Sequence, residues 1–391
     1  MNRVEYWLAA AVLGWLGWLF SHLPVRRKRV VLATARTSKL EGNLLYLYRA
    51  MRAARPDLEY QLHLEPYGYG RRNKLAYLGR LVRGMYHLQT ARLVVVDNAY
   101  LPIHVRPHRR GTSVVQVWHA AGALKRFGAD TLKPLAEPER TFLHRNYDWV
   151  VTSAAAARGP YAAALRTPID RVVALGSPRT DFFFDAEAME VARERVLTAF
   201  PRLVGQRVVL YAPTFRGRGA RRHEAAGLDA ARLREALPPG YALVTKNHPN
   251  LVASTSGGGP AGFDLIVEAS FDINELFTVT DVLVTDYSSC IFEYALLRRP
   301  IVLMVGDLDE YEADPGLYLD YRTEMIGTRV SATDEVAAAI LGDRFDLSGY
   351  DAFIERHLGD ARGDASDRFV RRFLGGGGHP GHPRVPVLRS R

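Results

Sequence analysis

At 391 residues, 48 % hydrophobic and 24 % charged, the chain has the length of two domains of about 150–200 residues and the composition of a globular protein with ample core. That excludes a disordered protein, a collagen-like chain, a disulfide scaffold and a many-helix transporter. A single cysteine, Cys290, excludes an intrachain disulfide and a multi-cysteine zinc site, and it points to a reducing, cytosolic compartment. The formal net charge is +10, with six lysines against 46 arginines. A GC-rich genome explains most of the arginine bias, but the excess still favours anionic partners: phosphorylated substrates, anionic lipids or nucleic acid.

Residues 6–25 carry no formal charge and include Trp7, Leu8, Val12, Leu13, Trp15, Leu16, Trp18, Leu19 and Phe20. As a helix this stretch is about 30 Å long, enough to reach across a bilayer core, so it is read as a spanning or half-inserted anchor. Arg26-Arg27-Lys28-Arg29 follows at once and would hold the rest of the chain on the cytoplasmic side against anionic headgroups. A buried core helix is the alternative, and a cleaved signal peptide a weaker one, because the charge lies on the wrong side of the apolar run.

Short apolar runs then alternate with helical patterns. Strands are expected at 30–33, 93–96, 114–117, 149–152 and 172–175, with helices at 43–54 and 75–90 between them. A second series has strands at 208–211, 242–245, 264–267, 282–285 and 301–304, and helices at 272–278, 291–297 and 334–340. Residues 181–203 read as a helical connection, 256–260 as a surface loop, and 375–391, rich in Gly, Pro and Arg, as a disordered tail. This alternation predicts an α/β protein with mostly parallel sheets. The expected division is an anchor with its basic flank at 1–27, one domain at 28–190, a second at 191–374 and the tail. Ligands in such folds bind at the carboxyl ends of the strands.

Candidate chemistry sits at those strand ends. His119, in Gln116-Val117-Trp118-His119-Ala120-Ala121-Gly122, is placed to act as a general base; the small residues after it would admit a ligand to the backbone, and Lys125 and Arg126 would hold phosphates. Thr214 and Arg216 follow another strand and suit an anion. Lys246 and His248, in Lys-Asn-His-Pro, end the next. In Thr285-Asp286-Tyr287-Ser288-Ser289, Ser288 or Ser289 would cap a helix whose free amides accept phosphate. Glu293, one turn into that helix, would accept hydrogen bonds from ribose hydroxyls. Simple turns and caps explain each segment alone equally well. Phosphate-loop, nucleophile-elbow and zincin motifs are absent, and no Gly-x-Gly-x-x-Gly joins an expected strand to a helix. No acidic or histidine cluster suggests a metal, no cofactor is called for, and basic residues are too dispersed for a nucleic-acid site.

In this order the segments resemble the CDP-glycerol glycerophosphotransferase family of teichoic acid synthesis, over about residues 28–374. The marks are Val-Val-Asp-Asn-Ala-Tyr (95–100), Gln-Val-Trp-His-Ala-Ala-Gly-Ala-Leu-Lys-Arg-Phe-Gly (116–128), Gly-Ser-Pro-Arg-Thr-Asp (176–181), Tyr-Ala-Pro-Thr-Phe-Arg (211–216), Lys-Asn-His-Pro (246–249), Asp-Ile-Asn-Glu-Leu-Phe (272–277), Thr-Asp-Tyr-Ser-Ser (285–289), Phe-Glu-Tyr-Ala (292–295) and Asp-Leu-Asp-Glu-Tyr (307–311). The resemblance implies a GT-B-like fold, two Rossmann-like domains facing a cleft. It implies that the second domain holds a CDP-glycerol or related CDP-polyol donor, with Asp286, Ser288 and Ser289 in the donor-phosphate loop, His119 acting from the first domain and His248 on the pyrophosphate. The acceptor would be a lipid-linked saccharide or polyol phosphate at the cytoplasmic face of the cell membrane, and CMP would leave. Ala-Ala-Gly after His119, where many members have Gly-Thr-Pro, looks more like the type that adds the first unit. A GT-B glycosyltransferase using a nucleotide sugar, and a non-catalytic binding protein on the same fold, stay open.

Overall fold

The computed structural model describes residues 3–64, 66, 71–132, 135, 137–214, 228–246, 262–343, 345–359 and 361–375. In the first half the elements are α1 (Arg3–Phe20), β1 (Arg26–Thr34), α2 (Gly42–Ala54), β2 (Glu59–Leu64), α3 (Arg71–Thr90), β3 (Ala91–Val96), α4 (Leu101–Val105), β4 (Ser113–Gln116), α5 (Glu137–Phe142), β5 (Trp149–Thr152), α6 (Arg158–Ala164) and β6 (Val172–Ala174). A short 3-10 helix, Pro178–Phe184, leads into α7 (Ala186–Ala199), whose first turn is capped by Asp185 accepting from the Ala188 amide. The second half runs β7 (Arg207–Tyr211), α8 (Ala230–Ala236), β8 (Tyr241–Lys246), β9 (Leu265–Val267), α9 (Ile273–Phe277), β10 (Val282–Thr285), α10 (Cys290–Ala295), β11 (Ile301–Met304), α11 (Leu308–Ala313), α12 (Tyr321–Glu324), β12 (Thr328–Val330), α13 (Thr333–Gly342), α14 (Tyr350–Leu358) and α15 (Ala365–Leu374).

Each half is built on its own six-stranded sheet, and every strand pair is parallel. Parallel strands need crossovers, and these put helices on both faces, so the strands are apolar throughout rather than alternating. β3 and β10 show it, with Val94, Val95 and Val96 and all of Val282–Thr285 buried. The first sheet has the order β2-β1-β3-β4-β5-β6, the second β12-β11-β10-β7-β8-β9. Strand order therefore reverses between β1 and β3 in one sheet and between β7 and β10 in the other. Crevices form at such switch points, outside the carboxyl ends of the strands.

Packing in both directions helps tie the halves together. α15 returns to the first sheet, where Phe369 and Phe373 pack with Leu44, Leu47 and Met51 of α2. In the other direction, Ala121 and Leu124, from the loop after β4, join the core of the second half beside Ile291 and Phe292 of α10.

The N-terminal segment departs from expectation. Among the described residues no helix is long and apolar enough to cross a membrane. α1 instead lies along the body, with Leu13 fully buried and Ala10 nearly so. The basic run is not a detached flank either: β1 begins at Arg26, and Arg29 is buried and donates to Thr90 Oγ1 at 2.8 Å. The expected loop at 256–260 and the tail from 376 onward lie outside the described residues.

Candidate functional site

The first switch point is built around His119. Trp118 takes a left-handed φ of 51°, a conformation unfavourable for a bulky residue. Its amide donates to Gln116 Oε1 at 2.9 Å and its ring stacks on Phe127 at 4.5 Å. The reversed turn brings His119 Nδ1 to 3.2 Å from the carbonyl oxygen of Asp97, at the end of β3. A carbonyl only accepts, so Nδ1 carries the proton and Nε2 is left as a lone-pair base. Nε2 has no hydrogen-bond partner among the described residues. Burial, with the charges of Arg36 and Arg179 nearby, pulls the imidazole down to about 4, so it is neutral at physiological pH. Asp97 itself is buried, its carboxyl pushed up to about 6 by burial, with Arg36 at 4.0 Å.

The residues after His119 serve packing rather than access. Gly122 has φ +64°, and a Cβ there would lie 2.6 Å from the Phe292 ring of α10. Its amide donates to Ser153 Oγ at 3.0 Å, and Tyr161 Oη donates to the Ala120 and Gly122 carbonyls at 3.0 and 2.9 Å. Lys125 and Arg126 sit where the halves meet. Lys125 pairs with Leu317 in an antiparallel bridge, the Arg126 amide donates to the Gly316 carbonyl at 2.9 Å, and the Arg126 guanidinium donates to Asp130 at 3.1 Å and lies over the Tyr318 ring. Their backbones join the halves here, and both side chains are half-buried.

At the second switch point Asp286 is buried and holds the two strand ends together. Its Oδ1 accepts from the Thr214 amide and hydroxyl, each at 2.8 Å, and from the Tyr287 amide at 2.7 Å. Thr214, at the end of the described chain after β7, is thus fixed against the turn that carries Ser288 and Ser289. Ser288 Oγ accepts weakly from the Cys290 amide at 3.4 Å, while Ser289, at the cap position, makes no side-chain cap bond. Both serines are only partly buried. Lys246 ends β8, and its ammonium donates to the Ala269 carbonyl at 2.8 Å; burial lowers its pKa. Arg216 and His248 lie outside the described residues.

Glu293 is not open to a ribose in this geometry. It is 2 % exposed, and Arg179 Nε lies 3.3 Å from its Oε1. Burial pushes the carboxyl upward against the pull of Arg179, and its Oε2 is buried without a hydrogen-bond partner. Arg179 also donates to the His119 carbonyl at 3.4 Å and to Asn274 Oδ1 at 3.3 Å, so a single guanidinium spans both halves. Asn43, buried in α2, completes the arrangement. It donates to the Val117 and Trp118 carbonyls and accepts from Ser177 Oγ and the Arg179 amide at 3.1 and 3.0 Å. Asn43, Asp97, Arg179 and Asn274 were given no role from sequence. Three of them stand inside recognisable motifs, but their partners are tens of residues away. A cavity of about 590 Å³ opens beside this cluster, lined by Tyr46, Arg49, Asp181, Arg195, Asp272 and Asn274 among others. None of His119, Thr214, Asp286 or Ser288 lines it.

Two six-stranded parallel sheets, one with a neutral histidine past a strand end and the other with a serine-bearing turn past a strand end, define an α/β protein of two halves. The model of the CDP-glycerol:poly(glycerophosphate) glycerophosphotransferase family matches residues 17–375, and the chain belongs to that family. It is 32 % identical to the teichoic acid ribitol-phosphate primase of Bacillus spizizenii over 91 % of this chain and 94 % of the primase. It is also 32 % identical to the teichoic acid poly(ribitol-phosphate) polymerase of the same organism, but spans 58 % of that longer protein. Among solved structures it is similar to the wall teichoic acid polymerase TagF, in a form with one histidine replaced by asparagine and soaked with CDPG. The TM-score is 0.74 at 19 % identity, covering 96 % of this chain and 98 % of that one.

Proposed function

We propose that the chain transfers a polyol phosphate from a CDP-activated polyol to an acceptor hydroxyl, releasing CMP, in the synthesis of a teichoic acid or related cell-wall polymer. The observation that carries this reading is His119: neutral, with its tautomer set by the Asp97 carbonyl and Nε2 unprotonated, on the opposite half from the Thr214–Ser289 turn. Family membership and the activities of the relatives support the substrate class. In the reading, two GT-B-like halves face each other, the donor on the second. The acceptor oxygen attacks the polyol-bearing phosphorus, its proton passes to His119 Nε2, and the bond from that phosphorus to the bridging oxygen of CMP breaks. Such transfers rest on positioning and charge neutralisation. Ser288, Ser289 and Lys246, together with Arg216 and His248, are assigned to the pyrophosphate. Glu293 would reach a ribose only after exchanging its contact with Arg179. The acceptor is taken to be lipid-linked, at the cytoplasmic face of the membrane.

The test is CMP release from CDP-ribitol and from CDP-glycerol, with and without a lipid-linked disaccharide, followed by product mass. Acceptor-dependent CMP release from one CDP-polyol is the expected result, and the mass separates one added unit from a polymer. Release of UDP or GDP from a nucleotide sugar, with no CMP from either CDP-polyol, would overturn the reading in favour of a glycosyltransferase.

A further inference from the structure

Gln116, the last residue of β4, is fully buried. Its Oε1 accepts from the Trp118 amide at 2.9 Å, while Nε2 donates to the Asn98 carbonyl and to Tyr147 Oη, each at 3.1 Å. A carboxamide has one oxygen and two N–H donors, so these three bonds engage all of them. They also fix its orientation: turned over, it would set NH2 against the Trp118 N–H and oxygen against the Asn98 carbonyl. The two segments it joins are the ones that hold His119. Asp97 supplies the carbonyl that accepts from Nδ1, and Asn98 is the next residue; Trp118 immediately precedes the histidine. The pairing of β3 with β4 ends at Val96 and Gln116, with one more bond from the Val117 amide to the Val96 carbonyl at 2.8 Å. Beyond it, the Gln116 side chain carries the tie onward.

Tyr147 holds that amide from behind. Its hydroxyl lies 3.0 Å from His104 Nε2 and 3.1 Å from His144 Nδ1. A phenol donates once and accepts twice. Gln116 already donates to it, so one histidine receives the Tyr147 proton and the other donates into Oη. Tyr147, His104 and His144 are all buried, and burial keeps both imidazoles neutral, with His104 well below its ordinary value and His144 pulled down to about 3. His144 also meets the Trp118 ring edge-on at 5.8 Å. A buried network whose members are satisfied in this way is rigid. Rigidity matters here for two reasons. The left-handed φ of Trp118 persists only where the surroundings over-determine it. The Nδ1 contact of His119, at 3.2 Å, is at the long end of the hydrogen-bond range, so a small shift of either segment would break it.

We propose that Gln116 is the positioning residue for His119: its amide locks the Trp118 turn to the Asp97–Asn98 segment, and Tyr147, set by His104 and His144, locks that amide in one orientation. Gln116 acts through the backbone on either side of the imidazole, which keeps Nδ1 on the Asp97 carbonyl and leaves Nε2 as the base. The part it plays in turnover rests on the transferase reading of His119; the part it plays in the tautomer does not.

The experiment combines imidazole nitrogen NMR of the full chain at neutral pH, the His119 signals being assigned by their loss in His119→Gln, with the kinetics of acceptor-dependent CMP release. The parent should show His119 protonated at Nδ1 alone. Gln116→Met, which keeps the bulk and removes the three bonds, should show both tautomers. Its kcat should fall about tenfold to a hundredfold, the scale of a misplaced base, with the donor KM within about twofold of the parent's. Tyr147→Phe should move both readouts in the same direction by a smaller amount, and it removes a single oxygen, so it decides the matter if Gln116→Met does not fold. Thr112→Val is the control for a merely structural loss: it deletes a buried bond in the same sheet, from Thr112 Oγ1 to the Ala91 carbonyl at 2.7 Å, and should change neither tautomer nor kcat. A parent His119 protonated at Nε2, a single Nδ1–H tautomer retained in folded Gln116→Met and Tyr147→Phe, or equal effects in Thr112→Val would each overturn the proposal. A parent chain that releases no CMP would instead defeat the transferase reading, and the tautomer would still decide whether Gln116 positions the ring.

Discussion

At the carboxyl edge of the first sheet the candidate base is a neutral imidazole fixed by a carbonyl, with Trp118 and Phe127 stacked beside it. At the matching edge of the second sheet, a buried carboxylate gathers amides and a hydroxyl around the strand ends, and a half-buried lysine stands on the neighbouring strand. Both edges come from six parallel strands with one order reversal, so the fold does not decide the chemistry. The residues at the first two or three positions past each strand do. In the proposed reading one side takes a proton and the other holds an anion, and Arg179 reaches from the His119 carbonyl to Asn274 and Glu293 of the second half.

Removing the proton acceptor gives the largest effect: His119→Ala should lower turnover about a hundred- to ten-thousand-fold, the range for losing a positioned general base. Arg179→Ala comes next. It leaves Glu293 buried beside no cation, at a cost of about 3 kcal/mol, read as a drop in unfolding midpoint; E293Q in the same background should restore much of it, because the uncompensated charge is then gone. Gly122→Ala should cost about 2 kcal/mol, from a Cβ against the Phe292 ring and a positive φ, and Phe292→Leu should relieve part of that by opening the contact.

The smallest effect is in pH. The native His119 imidazole, at about 4, lies below its ordinary value near 6.5. Between those values the unfolded chain binds the proton and the native chain does not, so this group's contribution is present above pH 6.5 and fades as pH falls toward 4. His119→Gln should therefore flatten the slope of stability against pH in that window by up to one proton. The buried histidines His87 and His144, both pulled down to about 3, keep the remaining slope. The acid limb of kcat/KM should likewise lie near pH 4; a limb near 6 that vanishes in Asp97→Asn would assign it to Asp97 instead.

Much of this was legible in the residues. Trp149–Thr152, Val282–Thr285 and Ile301–Met304 are uninterrupted apolar runs, and the strands occupy those bounds. β2 escaped notice because Glu59–Leu64 is a polar edge strand with only His63 buried, and β12 because Thr328–Val330 is three residues long. β1 starts in a basic run that reads as a flank, since nothing local reveals that Arg29 meets Thr90 across 61 residues of chain. His119 was recognisable from its place after a strand. The fate of Glu293 was not, because its partner Arg179 is 114 residues earlier. Small residues after His119 have two physical uses, admitting a ligand or admitting a neighbour, and only the position of Phe292 decides between them.

The division of labour between the two edges is tested most directly by measuring donor affinity and acceptor-dependent CMP release side by side for the parent chain and His119→Ala. The account predicts donor binding within a fewfold of the parent and release reduced at least a hundredfold. Release close to the parent's rate in that variant, or donor binding lost together with release, would contradict it.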